Sequence, residues 1–339
     1  MLRSPRLQAK TSTLPAPLVT IAMPCLNEEQ FIEGCLASVR QQTYPPDRLE
    51  ILVADGGSSD GTRAILARLS QEDARLRVID NPDRIQAAGL NRILQEARGD
   101  VVVRMDVHCE YASDYIEKCV SVLERTGADN VGGAPRSRGE TPFQRAVCAA
   151  LRSPLGAGGA PQWNPDNEGF VHSVPFGTLR RDYLRSLGGF DPRAATNEDA
   201  ELNQRVIARG GRVYLSPEIV FSYYPRASVS GLARQYFRYG YGRARTLVKH
   251  RGLLNPRPAL PFLAVVAALA AMTVFRGSGV ATGLAAAYAI VSLVEAFRVG
   301  HKEGLRVTVL TWLVFPTMLF AHGTGFGAGL VRYVLAPDW

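Results

Sequence analysis

The chain has 339 residues, 46% of them hydrophobic, which is enough for one large α/β domain and a further segment. A net charge of +8 raises nucleic acid as a partner, but no zinc-finger spacing, helix-turn-helix signature or interleaved basic and aromatic pattern is present, and that class is set aside. Five cysteines (Cys25, Cys35, Cys109, Cys119 and Cys148), odd in number and without a Cys-x-x-Cys pair, exclude a disulfide framework and a structural zinc site and read as small core residues in a reducing compartment.

In chain order, residues Met1 to Pro17 are polar, basic and proline-containing, with no apolar core of signal-peptide length. They are expected to be disordered and to leave the folded part in the cytoplasm. A strand is expected from Leu18 to Met23, stopped by Pro24. Asn27 is expected to cap a helix, with Gln30 closing a capping box and Phe31, Ile32, Cys35, Leu36 and Val39 on one face. Further strands are expected at Ile51 to Ala54, Leu76 to Ile79 and Val101 to Met105, and helices through Ile65 and Leu69 and from Gln86 to Ala97. This alternation implies parallel βαβ crossovers and a doubly wound sheet covered on both faces. Ligands of such sheets bind beyond the carboxyl ends of the strands, where Asp55 and Asp106 stand.

Residues 134 to 170 lack periodicity and are expected to form a long loop able to order over a substrate. Helical pattern returns at Glu198 to Ala208 and at Val229 to Val248. From Pro258 the apolar residues run long and nearly uncharged, giving three membrane candidates: Ala259 to Phe275, Gly279 to Phe297, and Val307 to about Val331, the last kinked or partly re-entrant at Pro316 and Gly323 to Gly327. Arg243, Arg245, Lys249, Arg251 and Arg257 crowd before the first run. If each run crosses once, Arg298, Lys302 and Arg306 share their side and Arg276 marks the other. The expectation is a multi-pass protein of the inner or plasma membrane with residues 18–245 as a cytoplasmic catalytic domain and 246–339 as juxtamembrane and transmembrane region.

Four patterns carry chemistry. Asp55 with Gly56-Gly57-Ser58-Ser59-Asp60-Gly61-Thr62 offers close backbone approach to a base or phosphate and a carboxylate for a base N–H or a ribose hydroxyl, though such loops are commonly simple turns. Arg104-Met105-Asp106-Val107-His108 can direct a carboxylate and an imidazole to one side, suiting Mn²⁺ or Mg²⁺ held partly by substrate phosphates. Asn197-Glu198-Asp199 places two acids at a helix start, after the turn Gly188-Gly189-Phe190-Asp191-Pro192, where capping explains one of them. Gln235 and Arg238 in Gln235-Tyr236-Phe237-Arg238-Tyr239 share a helix face, where an amide and a guanidinium can bind phosphate oxygens together.

These four patterns and the opening Met23-Pro24-Cys25-Leu26-Asn27-Glu28-Glu29, in this order, resemble the family 2 glycosyltransferases of the GT-A fold over about residues 18 to 245, and within them the succinoglycan-biosynthesis (ExoA-like) subgroup. The resemblance implies a nucleotide-diphosphate sugar held by Pro24, Leu26, Glu28 and Asp55, with Asp60 and Arg84 near ribose or phosphate. It also implies a divalent metal, Mn or Mg, on Asp106 and His108, Asp199 as catalytic base, and Gln235 with Arg238 on the diphosphate. His108 stands where the commoner pattern has a second Asp, and Tyr239 where processive synthases have Trp, which favours single addition over polymer extrusion. One base without a second carboxylate nucleophile predicts inversion, and the apolar tail predicts a lipid-linked saccharide acceptor. The competing readings are a nucleotidyltransferase, which would want a glycine-rich basic loop where Pro24 to Glu29 is acidic, and an inactive membrane scaffold.

Overall fold

The computed structural model describes residues 15–157, 159–252, 254–274, 276 and 278–339; of the expected disordered N-terminus, residues 1–14 lie outside them, as does Phe275 at the end of the first expected membrane run. Strands β1 (Val19–Cys25), β2 (Leu49–Asp55), β3 (Leu76–Asp80) and β4 (Val101–Arg104) alternate with helices α1 (Ile32–Arg40), α2 (Thr62–Glu72) and α3 (Gln86–Glu96). Then come β5 (Glu110–Tyr111), α4 (Tyr115–Thr126), β6 (Asn130–Gly132), β7 (Pro135–Ser137), α5 (Pro142–Leu151), α6 (Pro154–Ala157), β8 (Gly169–Val171), β9 (Thr178–Arg180), α7 (Arg181–Ser186), α8 (Glu198–Ala208), β10 (Val213–Leu215), β11 (Phe221–Tyr223) and α9 (Val229–His250). The tail is α10 (Leu260–Val274), α11 (Val280–Gly300) and α12 (Leu305–Leu335).

The main sheet has the order β3-β2-β1-β4-β9-β6-β10-β8; β9 and β8 run antiparallel to their neighbours and the other pairs are parallel. Period-two alternation divides the strands between two cores. Val19, Ile21 and Met23 face α1, α2 and α4, while Ala22, Leu52 and Ala54 face α3 and α8. Each such valine, isoleucine, leucine or methionine side chain contributes roughly 1.5–3 kcal/mol by leaving water, which is what holds the helices over both faces. A second sheet, β5-β11-β7, stands beyond the end of β4.

The structure departs from expectation in four places. β1 continues through Pro24, because its pairing with β4 ends at Ala22 and the missing proline N–H falls where β1 has only β2 beside it. Asn27 does not cap a helix with Gln30. It takes a left-handed φ of 56°, its side chain accepts from the Ser59 N–H at 2.9 Å, and α1 begins only at Ile32. Residues 134–170 are not one loop, since they contain β7, β8 and α5, whose Thr141 and Gln144 form a capping box and whose Ala146, Val147, Ala150 and Leu151 are buried in a third core with α12. The third apolar run is one continuous helix through Pro316 and Gly323 to Gly327 rather than a re-entrant segment.

Three helical stretches, Arg257–Val274, Val280–Glu303 and Leu305–Leu335, are long and apolar enough to cross a membrane. They are not equivalent. Of their most apolar stretches, 6% of that in Arg257–Val274 and 11% of that in Val280–Glu303 is buried, against 33% for Leu305–Leu335. Both ends of α12 lie on the catalytic domain: the Thr311 hydroxyl donates to the Ala146 carbonyl of α5 at 3.4 Å, and Asp338, just past α12, pairs with Arg245 of α9 at 3.1 Å.

Part of the expected juxtamembrane charge cluster is paired inside the protein, while Arg251 and Arg257 are exposed. Arg245 is buried against Asp191 and Asp338, and Lys249 reaches Asp191 at 2.7 Å and Glu201 at 2.8 Å. These pairs tie α9 to the 188–192 turn and to α8. The described cysteines are all free, as expected.

Candidate active site

The carboxyl end of β4 is the centre. On a strand, residues two apart share a face, and Arg104 and Asp106 accordingly lie together. The Arg104 Nε donates to Asp106 Oδ1 at 3.0 Å and Nη2 to Oδ2 at 3.3 Å, while Nη1 reaches Glu198 at 2.8 Å and Asp199 at 2.5 Å. Beyond the strand, the Asp106 N–H donates to the Tyr111 hydroxyl, which fixes the turn, and Gln86 of α3 donates to both Asp106 oxygens at 3.3 Å.

Glu198 and Asp199 open α8, where Asn197 takes a left-handed φ of 59° and its amide donates to the Tyr239 carbonyl of α9 at 3.0 Å. Gly242 is required there, because a Cβ would lie 2.7 Å from the Asn197 amide nitrogen and from Thr196. Two of the sequence patterns are therefore hydrogen-bonded to each other.

Three carboxylates around the single Arg104 guanidinium leave an excess of negative charge in a mostly buried place. Asp199 answers it. Burial raises its pKa to about 7, with Glu198 and Asp106 adding to the rise against the opposing pull of Arg104. His108, whose imidazole lies 3.4 Å from the Glu28 carboxylate, is held above its usual value by that hydrogen bond, and burial opposes the rise.

Asp106, His108, Glu198, Asp199, Gln235 and Arg238 all line one cavity of about 1680 Å³. Gln235 donates to the hydroxyls of Tyr223 and Tyr239 at 3.1 and 3.0 Å, and Arg238 is exposed beside it. Asp55 stands apart, in a smaller cavity of about 410 Å³ with Gly57, Arg63, Asp80 and Asn81. Its buried carboxylate accepts from Gly57 and Ser58 and pairs with Arg63 at 2.7 Å, so it also shapes the glycine loop. Asp60 accepts from the Thr62 hydroxyl at 2.6 Å at the start of α2; that bond holds its carboxyl below the usual value. Pro24 is buried at the end of β1, Leu26 packs over Gly56, and Arg84 is exposed with a φ of 58°; with Asp60 and Glu28, none of these lines either cavity.

The sequence reading gave no role to Arg104, although its place two residues before Asp106 was the available signal. Gln86 carried none. Arg243, expected in the basic cluster before the first apolar run, lines the large cavity and faces Asp199, while burial pushes its guanidinium below the usual value.

Asp106 and His108 offer an oxygen and an imidazole to the same cavity, next to the excess of negative charge described above. That donor set fits a Mn²⁺ or Mg²⁺ ion. Among the described residues no group of three or more His, Cys, Asp or Glu could hold a metal by itself, so the remaining ligands would come from substrate oxygens.

A doubly wound sheet with carboxylates at two strand ends and an acidic helix start facing them is the layout of a nucleotide-sugar transferase of the GT-A type. The sequence profile of glycosyl transferase family 2 matches residues 20–188. The succinoglycan biosynthesis protein ExoA of Rhizobium meliloti is 38% identical over 254 residues, 74% of this chain and 77% of that protein. A dolichyl N-acetyl-alpha-D-glucosaminyl phosphate 3-beta-D-2,3-diacetamido-2,3-dideoxy-beta-D-glucuronosyltransferase of Methanococcus voltae is 28% identical over 252 residues, covering 72% and 78%. The mannosyltransferase PcManGT of Pyrobaculum calidifontis, solved with GDP-Man and Mn²⁺, has the same fold with a TM-score of 0.63 at 23% identity, over 95% of this chain and 88% of that one. The chain belongs to glycosyltransferase family 2 and is a glycosyltransferase.

Proposed function

We propose that the enzyme moves a sugar from a nucleotide-diphosphate donor to a saccharide carried on a lipid, in the building of an extracellular or cell-envelope glycan, with inversion at the anomeric carbon. The observation that carries this reading is the placement of Asp199: an acid of raised pKa in a cavity that also opens onto α10 and α12. The Methanococcus relative, whose name states a dolichyl-phosphate-linked acceptor, and ExoA, named for a polysaccharide, support it.

In this mechanism Asp199 takes the proton of the acceptor hydroxyl as that oxygen attacks the anomeric carbon. Arg104 keeps Asp106 and Asp199 together despite their like charge. Gln235 and Arg238 hold the departing diphosphate. A divalent ion bound at Asp106 and His108 would supply further neutralisation of that leaving group. Asp55, with Pro24, Leu26, Glu28, Asp60 and Arg84 around it, forms the nucleotide end.

The test is a screen of the full-length protein in detergent against a panel of nucleotide sugars, reading released nucleotide. One donor is turned over, chelator abolishes the release, Mn²⁺ or Mg²⁺ restores it, and Arg238→Ala lowers turnover severely while His108→Ala raises the metal concentration needed. Full activity in chelator with His108→Ala unaffected removes the metal from the proposal.

For the membrane we propose that α10 and α11 form the inserted hairpin and that α12 lies along the cytoplasmic catalytic domain. Exposed apolar side chains such as Leu260, Leu263, Leu284 and Ile290 support the hairpin, with Arg276 near its tip and Arg298 and Lys302 at its base. Reporters fused after residue 250 and after Trp339 both read cytoplasmic. An external signal at the C-terminus restores three crossings.

A further inference from the structure

The large cavity has a second end that the donor chemistry leaves unused. Its wall there is formed by Arg243 of α9, Leu260 and Ala264 of α10, and Met318, Leu319 and His322 of α12. Two of these groups lack compensation. Arg243 forms no ion pair among the described residues, and the carboxylate it faces, Asp199, is already bonded to Arg104 at 2.5 Å. Arg245, two residues on, shows the contrast: it turns to another side of α9 and is bonded to Asp191 and Asp338. His322 has a buried Nδ1 with no hydrogen-bond partner, and its ring lies within electrostatic reach of Arg243.

The fold goes to some length to bring them together. Gly240 of α9 lies so close to α12 that a Cβ there would collide with the His322 carbonyl, so the small residue sets the approach of the two helices less than one turn before Arg243. A half-buried guanidinium with no ion pair is costly, and an anion beside it, on the wall that His322 also lines, offsets that cost.

We propose that Arg243 and His322 form the seat for a phosphate group of the acceptor, an amphiphile whose hydrocarbon chain leaves the cavity along α10. This rests on the lipid-linked acceptor reading above and adds to it where the acceptor's charge is held. The apolar exit is present, since Leu260 and Leu263 are 58% and 55% exposed on α10. The cavity, about 1680 Å³, exceeds the roughly 300–1,000 Å³ usual for one small ligand and accommodates donor and acceptor together. The same phosphate chemistry is offered by the donor's diphosphate, which the seat must be shown not to serve.

The experiment uses the full-length protein in lipid nanodiscs with farnesyl diphosphate, farnesol, UDP and GDP as probes, measuring binding to the wild type, Arg243→Gln and His322→Ala. The wild type binds farnesyl diphosphate well above farnesol. Both variants weaken that binding by roughly 10- to 100-fold, the loss of a charged hydrogen bond, while nucleotide binding holds. Arg243→Lys recovers part of it, which excludes misfolding as the cause. If both variants bind farnesyl diphosphate like the wild type, the seat is wrong and the lipid-acceptor reading stands. If the variants lose nucleotide instead, the seat belongs to the donor and the inference fails. If the wild type binds the diphosphate no better than farnesol, phosphate recognition is refuted; if it binds neither, the lipid-linked acceptor falls with it.

Discussion

Asp199→Asn keeps nucleotide-sugar binding and loses turnover by on the order of a hundredfold or more, because the amide cannot take the acceptor proton in the transition state. The substitution is nearly isosteric, so the Arg104 contact at 2.5 Å loses a charge and no volume. A pH profile sharpens the test. A base works only when deprotonated, and Asp199 has its pKa raised from 3.8 to about 7, so the wild-type rate falls as pH drops below about 7 and levels off above it. The stability linkage has the opposite sign: an acid whose folded pKa lies above its unfolded value stabilises the fold most below pH 3.8, and that contribution is lost as pH rises through 7. Activity and this part of stability therefore trade against each other across the same window. Turnover of Asp199→Asn equal to wild type, or a wild-type rate flat from pH 5 to 8, removes Asp199 as the base.

The parallel half of the fold was legible because β1 to β4 and α1 to α3 each bury a local, periodic face; the strands came out within a residue or two at either end and α8 at its full length. What was not legible depended on distant partners. Asn27 looks like a cap from its neighbours alone, but Ser59, thirty-two residues on, claims its side chain. The helix α5 is short, and its apolar face gains meaning only against α12, more than 150 residues later. Charge misled in the same way: Arg243, Arg245 and Lys249 are one basic run in sequence, yet once α9 is packed Arg243 lines the cavity while Arg245 and Lys249 both pair with Asp191. The cavity gathered Asp106, His108, Asp199, Gln235 and Arg238 as the family resemblance implied, whereas the strand-end residue that joins two of them, Arg104, stood in plain view without a partner to reveal it.

Arg104→Met gives the largest loss of stability expected of any single change in this site. The arginine is 3% exposed and is the only group in ion-pair contact with Glu198 and Asp199 among the described residues, with Asp106 as its third carboxylate. Replacing an entire buried ion cluster by apolar groups can be neutral, but removing one partner leaves charge uncompensated and costs roughly 3–5 kcal/mol. Here the imbalance is three carboxylates with no guanidinium. The protein can relieve it only by taking up protons, so the variant recovers stability as pH falls from 8 to 5, where the folded state binds more protons than the unfolded one. Arg104→Lys restores a charge without the planar fork that meets three acids at once, and lands between the two. Thermal unfolding in detergent at pH 8 and pH 5 reads the effect. Turnover falls with stability in Arg104→Met and does not return at pH 5, because Asp199 is then protonated and is no longer held in register with Asp106. An unfolding midpoint for Arg104→Met matching wild type at pH 8 would mean that solvent, rather than Arg104, carries the charge of these carboxylates.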